Sequence, residues 1–340
     1  PVVKIWTSLA AVPGNQRSVV TIGNFDGMHF GHARVVATCV ERARKLGLES
    51  VALTFDPHPK AVHSPHSPTP LIMSIATRLD ALATTGLDAT LVVHYDASVY
   101  TLTPEEFVAE FLVDRLGAKE VVVGEDFRFG RGNQGDIDTL QALGRRFGFT
   151  VAMVTDVAGA SGRRWSSSWV RELLAQGKVD EASDVLGHPY RLVGVVEHGE
   201  KRGRELGFPT ANLRAGAGVL APADGVYAGW VVRDVEGQPS AQEFLPAAIS
   251  VGTNPQFSGK TRTVEAHVLG RDDLDLYGQE IAVVFTKRIR PMMKFDSVDE
   301  LKARMDEDLR ETASLLGSRV AKRVEPGRVR AGEEEEQSDS

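Results

Sequence analysis

Two imidazoles three residues apart, His29 and His32, stand in the stretch TIGNFDGMHFGHARVV at residues 21–36, with Asp26 before them and glycines at 23, 27 and 31. A short apolar run precedes the stretch and a helix-like run follows, so both rings fall at a strand-to-helix corner. Three readings of such a corner differ in chemistry. Glycines let backbone approach a ligand closely, a helix N-terminus attracts phosphate, and imidazoles donate hydrogen bonds to phosphate oxygens. With Asp26 and His58 the pair could instead ligate zinc, although one His-x-x-His without a cysteine partner has weak metal spacing. Or His29 is a turn residue and His32 a polar residue of the helix start.

A second set lies in the C-terminal half. HGEKRGRELGFPTAN (198–212) joins basic residues and glycines to a Pro-Thr-Ala-Asn tetrapeptide, and Glu265 sits in RTVEAHVL (262–269). Without a ligand, the same residues read as a polar hairpin loop and a surface carboxylate whose neighbours Val264 and Ala266 face the other way.

Two further motifs imitate nucleotide sites. GRGNQG (130–135), with Asp156 about 20 residues on, copies a dinucleotide fingerprint and would suit an NAD-dependent oxidoreductase. Against it, GEDFRF stands between the preceding strand pattern and the first glycine. FSGKT (257–261) resembles the end of a Walker A loop, but Asn254 occupies the position that needs glycine, and a strand pattern follows.

The elements that must hold these residues differ between the two halves. Apolar runs at 18–22, 51–55, 90–95, 120–123 and 150–154 alternate with helical periodicity, including TPEEFVAEFLVDRLG with Thr103 as N-cap, Pro104 at N1 and Glu106 at N3. Strand–helix alternation predicts an α/β fold with a doubly wound parallel sheet. After Gly187-His188-Pro189 come runs at 190–197, 226–233, 245–251, 262–269 and 281–286, separated by Gly/Pro/Asn turns and no long helix. These predict an antiparallel barrel or sandwich, closed by a helix near 297–316. The expected domains are 1–187 and 188–320, and 321–340 is a charged, apolar-poor tail expected to be disordered.

Bulk properties agree. A chain of 340 residues with 42% apolar and 25% charged content suits about two soluble domains. The net charge of −7 argues against nucleic acid as partner, and no run approaches a membrane span. Cys39 alone excludes an internal disulfide and, with an N-terminus lacking a signal-peptide pattern, points to the cytoplasm. A homo-oligomer is left open.

The motifs also carry a resemblance. Gly-x-Phe-Asp-Gly-x-His-x-Gly-His, ending at His32, resembles the signature of the HxGH nucleotidyltransferases. It looks most like the FAD synthetase module of the bacterial bifunctional riboflavin kinase/FAD synthetases. TFDPHP (54–59), VVVGEDFRFG (121–130) and SSSWVR (166–171) follow in the expected order. The resemblance implies an ATP corner of Gly23, Phe25, Asp26, Gly27, His29 and His32, whose imidazoles grip phosphates and stabilise the transition state. It implies that Ser167, Ser168 and Arg171 meet the triphosphate, and that Asp56, His58, Asp126 and Phe127 face the nucleotide and flavin ends. The chain departs from the family's common pattern at Trp165 (Ile), Ser168 (Thr) and Asp126 (Asn in some members).

The C-terminal half is similar to the riboflavin kinase module through the 198–212 segment, GVYAGW (225–230), ISVGTNPQF (249–257), TVEAHVL (263–269) and KFDSVDEL (294–301). The resemblance implies Gly203, Arg204, Thr210 and Asn212 around ATP, Thr210 and Asn212 on Mg²⁺, and Asn254, Glu265, Arg290 and Phe295 around the flavin. Glu265 would be the general base. Lys201 stands where many members have glycine. The implied architecture is a nucleotidyltransferase domain followed by a β-barrel flavokinase domain with a closing helix. The implied ligands are riboflavin, ATP, Mg²⁺, FMN and FAD, with no nucleic acid or membrane partner. Rival readings are a single-activity nucleotidyltransferase with a degenerate barrel, a flavin-binding regulator, and the oxidoreductase.

Overall fold

A computed structural model describes residues 3–155, 162–197, 210–235, 241–253, 262–271 and 274–318. The expectations for Gly203, Arg204, Asn254, the FSGKT segment and the 321–340 tail lie outside the described residues. The chain forms two compact units, Pro1–Val170 with Val185–Gly187 and Arg171–Asp184 with His188–Ser340.

The first unit holds six strands: β1 (Lys4–Trp6), β2 (Ser18–Ile22), β3 (Glu49–Asp56), β4 (Ala89–His94), β5 (Ala118–Gly124) and β6 (Thr150–Val154). They lie in the order β1-β4-β3-β2-β5-β6, and every pairing is parallel. Five match the predicted runs, because strands covered on both faces read as continuous apolar stretches. β1 escaped the pattern because it is three residues long and exposes Lys4 and Ile5.

Helices α1 (Phe30–Leu46), α2 (Pro59–His63), α3 (Ile75–Ala83), α4 (Ala97–Tyr100), α5 (Pro104–Phe107) and α6 (Ile137–Phe147) connect the strands. Val35, Val36, Cys39, Val40 and Ala43 of α1 pack with Val19, Ala52 and Val122 on one face of the sheet. Val20, Val51, Leu53, Val121 and Val123 face the opposite layer of Phe107, Phe111, Leu112 and Leu140. The predicted capping box of α5 forms, with Thr103 Oγ1 accepting from Glu106 N and the Glu106 carboxylate accepting from Thr103 N. The helix then widens into a π-helix over Val108–Arg115.

Two helices follow, α7 (Ser167–Ala175) and α8 (Val179–Leu186). The division between the units passes through both.

The second unit is built on β7 (Tyr190–Glu197), β8 (Ala211–Ala215), β9 (Gly225–Asp234), β10 (Gln242–Thr253), β11 (Arg262–Val268) and β12 (Glu280–Arg290). They close into a barrel of order β10-β11-β8-β7-β12-β9, antiparallel throughout. Tyr190, Leu192, Tyr227, Ile249, Val283 and Phe285 are buried on the inward-facing register positions. α9 (Val298–Leu316) covers the outside through Leu309 and Ala313, which cluster with Leu269, Ala248 and Met305. β8 was hidden from the pattern because it opens inside the Pro-Thr-Ala-Asn segment, whose composition signals a turn.

Candidate active sites

β2 ends at Ile22, and His29 is the N-cap of α1. Chain connections leave β2 toward β3 on one side of the sheet, while β5 lies on the other. The 23–29 loop therefore emerges at the switch point, where open α/β sheets bind ligands. Its backbone is contorted: Phe25 and Met28 hold φ of 50° and 43°, and Gly27 has φ of 90°. Strain of this kind costs about 1–3 kcal/mol per residue and concentrates at functional sites. Gly23 admits the buried Phe25 ring, which a Cβ there would meet at 3.0 Å, and a Cβ on Gly27 would meet Ile72 at 3.0 Å.

This contorted loop stacks the imidazoles of His29 and His32, with ring centroids 3.8 Å apart and planes 25° from parallel. The edge of the Phe25–His32 pair supports the arrangement at 5.5 Å. Asp26 holds the loop in place. Its buried carboxylate accepts from Ile72 N at 3.0 and 3.1 Å and from Met73 N at 3.1 Å. Among the described residues no group of three or more His, Cys, Asp or Glu is placed to hold a metal ion, so the zinc reading of Asp26, His29, His32 and His58 finds no cluster.

The neighbouring strand end brings in a charge the sequence reading missed. Arg78 of α3 is fully buried, and its Nη1 donates to Phe55 O at 2.9 Å and Thr54 Oγ1 at 3.3 Å. Its Nε and Nη2 find no hydrogen bond among the described residues. Burial lowers its pKa, while the charges of Asp26 and Asp56 oppose that shift. A positive group thus lies within the electrostatic reach of both motif aspartates. The available signal was an arginine in phase with Leu82 on the buried stripe of a helix. His58 serves as the N-cap of α2, its Nδ1 accepting from Lys60 N at 3.1 Å. Beside it, Phe55, His63, Tyr95 and Tyr100 form a chain of ring contacts between 5.2 and 6.1 Å, a second feature the sequence motifs did not reveal.

The segments after β5 and β6 carry the remaining residues predicted for the adenylyl-transfer site. Asp126 is exposed and ion-paired to Arg164 Nη2 at 2.7 Å, and Phe127 stacks on Phe129 at 5.3 Å. The GRGNQG segment forms a turn over Phe129, which pairs with Gly135. β5 ends at Gly124 and does not run into the first glycine. The three serines divide their work. Ser166 Oγ accepts from Trp169 N at 3.2 Å at the start of α7, Ser167 Oγ donates to Asp26 O at 2.8 Å, and Ser168 is exposed. Arg171 lies one turn further along α7.

In the second unit, strand register assembles the predicted residues. Glu265 of β11 stands directly opposite Asn212 of β8 on one side and Ser250 of β10 on the other. Ser250 in turn faces Val226, and Val226 faces Arg290. Asn212, Glu265 and Ser250 alternate with inward residues, and β12, after register shifts between Phe285 and Lys287 and between Arg288 and Arg290, brings Arg290 opposite Val226, so the four share one transverse row on the barrel's outer face. Directly opposed Cβ atoms lie about 4.5–5.5 Å apart in such pairs. Thr210 precedes Asn212 by two residues, immediately before β8, and is half-buried.

Arg290 is not a free cation. Its Nε donates to both Asp308 oxygens at 2.9 and 3.1 Å, and its Nη2 donates to Oδ2 at 2.7 Å, which clasps α9 to β12. The same guanidinium lies 5.7 Å from the centre of the Phe295 ring.

The sheet gathers imidazoles, hydroxyls and helix starts at its switch point, and the barrel sets a carboxylate opposite an amide, arrangements of the kind found in transferases of phosphorus-containing groups. A family model described as FAD synthetase matches residues 12–169, and one described as riboflavin kinase matches residues 186–316. The bifunctional riboflavin kinase/FMN adenylyltransferase of Escherichia coli (strain K12) is 38% identical over 290 residues, covering 85% of this chain and 90% of that protein. The protein of the same name from Pseudomonas fluorescens is 36% identical over 304 residues, covering 89% and 94%. A crystal structure described as a macrolide-efflux protein from Streptococcus pneumoniae is 32% identical, with a TM-score of 0.80 over 92% of this chain and 99% of that one. Among the described residues no helix is long and apolar enough to cross a membrane. The chain belongs to the bifunctional riboflavin kinase/FMN adenylyltransferase family.

Proposed function

We propose that the barrel phosphorylates riboflavin with ATP to give FMN, and that the parallel-sheet unit then adenylylates FMN with a second ATP to give FAD and pyrophosphate. The observation that carries this reading is the stacked His29–His32 pair at the switch point. In the second step a phosphate oxygen of FMN forms a bond to the α-phosphorus of ATP, and the bond from that phosphorus to the bridging oxygen breaks, its electron pair leaving with pyrophosphate. No covalent nucleophile is needed. The step needs alignment and stabilisation of charge on oxygens. His29 and His32 supply ring donors at the corner, the exposed Ser168 hydroxyl and Arg171 supply donors along α7, and Arg78 adds positive potential from beneath. The ring cluster of Phe55, His63, Tyr95 and Tyr100, with Asp56, Asp126 and Phe127, suits the flavin side.

In the kinase step Glu265 takes the proton of the ribityl 5′-hydroxyl as its oxygen bonds to the γ-phosphorus and ADP departs. Thr210 and Asn212 fit Mg²⁺ as hard oxygen donors beside Glu265, and the ion when bound neutralises phosphate charge. Arg290 and Phe295 sit at the α9 end of the row, where they suit the flavin ring.

The test is purified protein with riboflavin, ATP and Mg²⁺, products resolved by chromatography. FMN followed by FAD is expected, and His29→Ala is expected to stop FAD while FMN accumulates. FMN that never proceeds to FAD in the wild type would leave a kinase alone, and equal loss of both activities in folded His29→Ala would refute separate centres.

A further inference from the structure

One side chain ties together the strand ends that lead to the kinase residues. Asp224 immediately precedes β9, at the end of the barrel where β10 finishes at Thr253 and β11 starts at Arg262. Its Oδ1 accepts from Arg262 Nε at 2.8 Å, and its Oδ2 accepts from the Thr253 hydroxyl at 2.8 Å. Thr253 and Arg262 face each other as the final pair of β10 and β11. Three pairs further along the same ladder, Ser250 faces Glu265. Arg262 also donates from Nη1 to Ala221 O at 3.1 Å, so the segment before β9 grips it twice. The main-chain oxygen of Asp224 accepts from Arg288 Nη2 of β12. Gly225 lets β12 come close, since a Cβ there would meet Arg290 O at 2.6 Å.

We infer that Asp224 is a positioning residue of the kinase centre, which sets the placement of Glu265 by fixing the shared end of β10 and β11. The inference rests on the riboflavin kinase reading above and deepens it. The ladder shows why β11 needs the tie. β8 pairs with β11 only from Val264 to Ala266, so among the described residues Arg262 and Thr263 have no strand partner on that side. Glu265 thus stands one residue from the end of that ladder, and the Asp224 clamp holds what lies beyond. Burial opposes ionisation of Asp224, but the bonds from Thr253 and Arg262 outweigh it and hold the carboxyl below the usual carboxylate range. Stability does not account for the cluster. The Asp224 and Arg262 side chains are 37% and 33% exposed, and ion pairs open to water contribute little to folding. Placement counts for more, because a shift of about 1 Å at a reacting group costs up to roughly 10²-fold in rate. The bond to Arg288 uses the main chain and survives any side-chain change. The Asp224 side chain therefore acts on the Glu265 end of the row and not on the Arg290 end.

The experiment measures kcat and KM for riboflavin and ATP in FMN formation by full-length protein. Conversion of supplied FMN to FAD is the internal control, and calorimetry follows the barrel's melting. Asp224→Ala removes both side-chain bonds. Asp224→Asn keeps an acceptor for Arg262 and offers Thr253 an amide from which its hydroxyl accepts. Asp224→Ala is expected to lower the FMN-forming kcat roughly 10–100-fold while both KM values stay within about twofold. The barrel's transition should fall by no more than about 5 °C, and FAD formation should not change. Asp224→Asn should recover most of the rate. Arg262→Ala should lower kcat as Asp224→Ala does, and the double alanine variant should be no slower than the slower single one, since the two act through one bond. An undiminished kcat in Asp224→Ala overturns the inference, as do losses that multiply in the double variant. A rise in KM for riboflavin at unchanged kcat overturns it in favour of a flavin contact. A larger fall in melting, with Asp224→Asn no faster than Asp224→Ala, overturns it in favour of a purely structural role. A wild type that makes no FMN from riboflavin and ATP overturns the kinase reading and this inference with it.

Discussion

Asp308→Ala removes one half of a pair whose side chains are only 5% and 9% exposed. Arg290 would keep its charge in a dry setting and lose three contacts of 2.7–3.1 Å. Arg304, whose Nε lies 3.2 Å from Asp308 Oδ1, loses that partner too but keeps Glu307 at 2.7 Å, so the main cost falls on Arg290. Breaking a buried pair by deleting one partner costs about 3–5 kcal/mol, because the remaining charge is uncompensated. At about 3 °C per kcal/mol for a unit of this size, the second unit's melting transition should fall by roughly 10–15 °C. The double change Arg290→Met with Asp308→Leu removes both charges and keeps apolar bulk, so it should recover most of that loss. Differential scanning calorimetry on full-length protein follows the transition, and riboflavin phosphorylation is assayed alongside. The double variant should melt near the wild type yet need more riboflavin, since no cation then faces Phe295. A drop below about 3 °C in Asp308→Ala would refute the clasp, as would a double variant no more stable than the single one.

Glu265→Gln keeps size and hydrogen bonding but removes basicity, so FMN formation should fall roughly 10²–10⁴-fold while supplied FMN is still converted to FAD. An undiminished kinase rate would remove Glu265 from the mechanism. A fragment of residues 171–318 should fold and phosphorylate riboflavin, and should melt higher than one of residues 188–318. Leu174 O accepts from Ala223 N at 2.9 Å and Gln176 O from Arg288 at 3.4 Å, and the shorter fragment loses both. Equal melting of the two would detach these helices from the barrel. Burial pushes the Cys39 thiol up to about 12, and its Sγ donates to Val19 O at 3.3 Å. A thiol-specific disulfide reagent at pH 8 should leave the native protein unmodified and take one equivalent after denaturation. Rapid native reaction would contradict the packing of α1.

Much of the fold was legible because strands such as β2 are wholly covered and strands such as β7 and β10 alternate, and both conditions write themselves into residue type. β1 and β8 were not, since a three-residue edge strand and a five-residue strand that follows directly on Pro209-Thr210 are too short to show a period against turn-like neighbours. Motif strings proposed residues for each site but not the contacts each makes. The Asp26 carboxylate and His58 Nδ1 accept from backbone amides, and Ser166 and Ser167 divide capping from tethering. Arg290 is drawn into a partnership with a helix residue 18 positions on, which no local spacing announces. Arg78 and the Phe55–Tyr95–Tyr100 cluster come from segments whose composition reads as ordinary helix and strand, and only tertiary packing brings them to the corner.

The transverse row on the barrel carries a consequence for how chains of this kind can vary in length. Asn212, Glu265 and Ser250 meet because three strands agree in register, and side chains alternate strictly between the two faces. One residue inserted between Arg262 and Glu265 would turn the carboxylate inward among Tyr227, Ile249 and Phe285 and put Val264 in its place. The same insertion in the connection between β10 and β11 would leave the face unchanged. Gain and loss of residues should therefore be filtered by parity within strands and passed freely in connections, so that natural length differences fall between the strands even where the strands' own sequences drift.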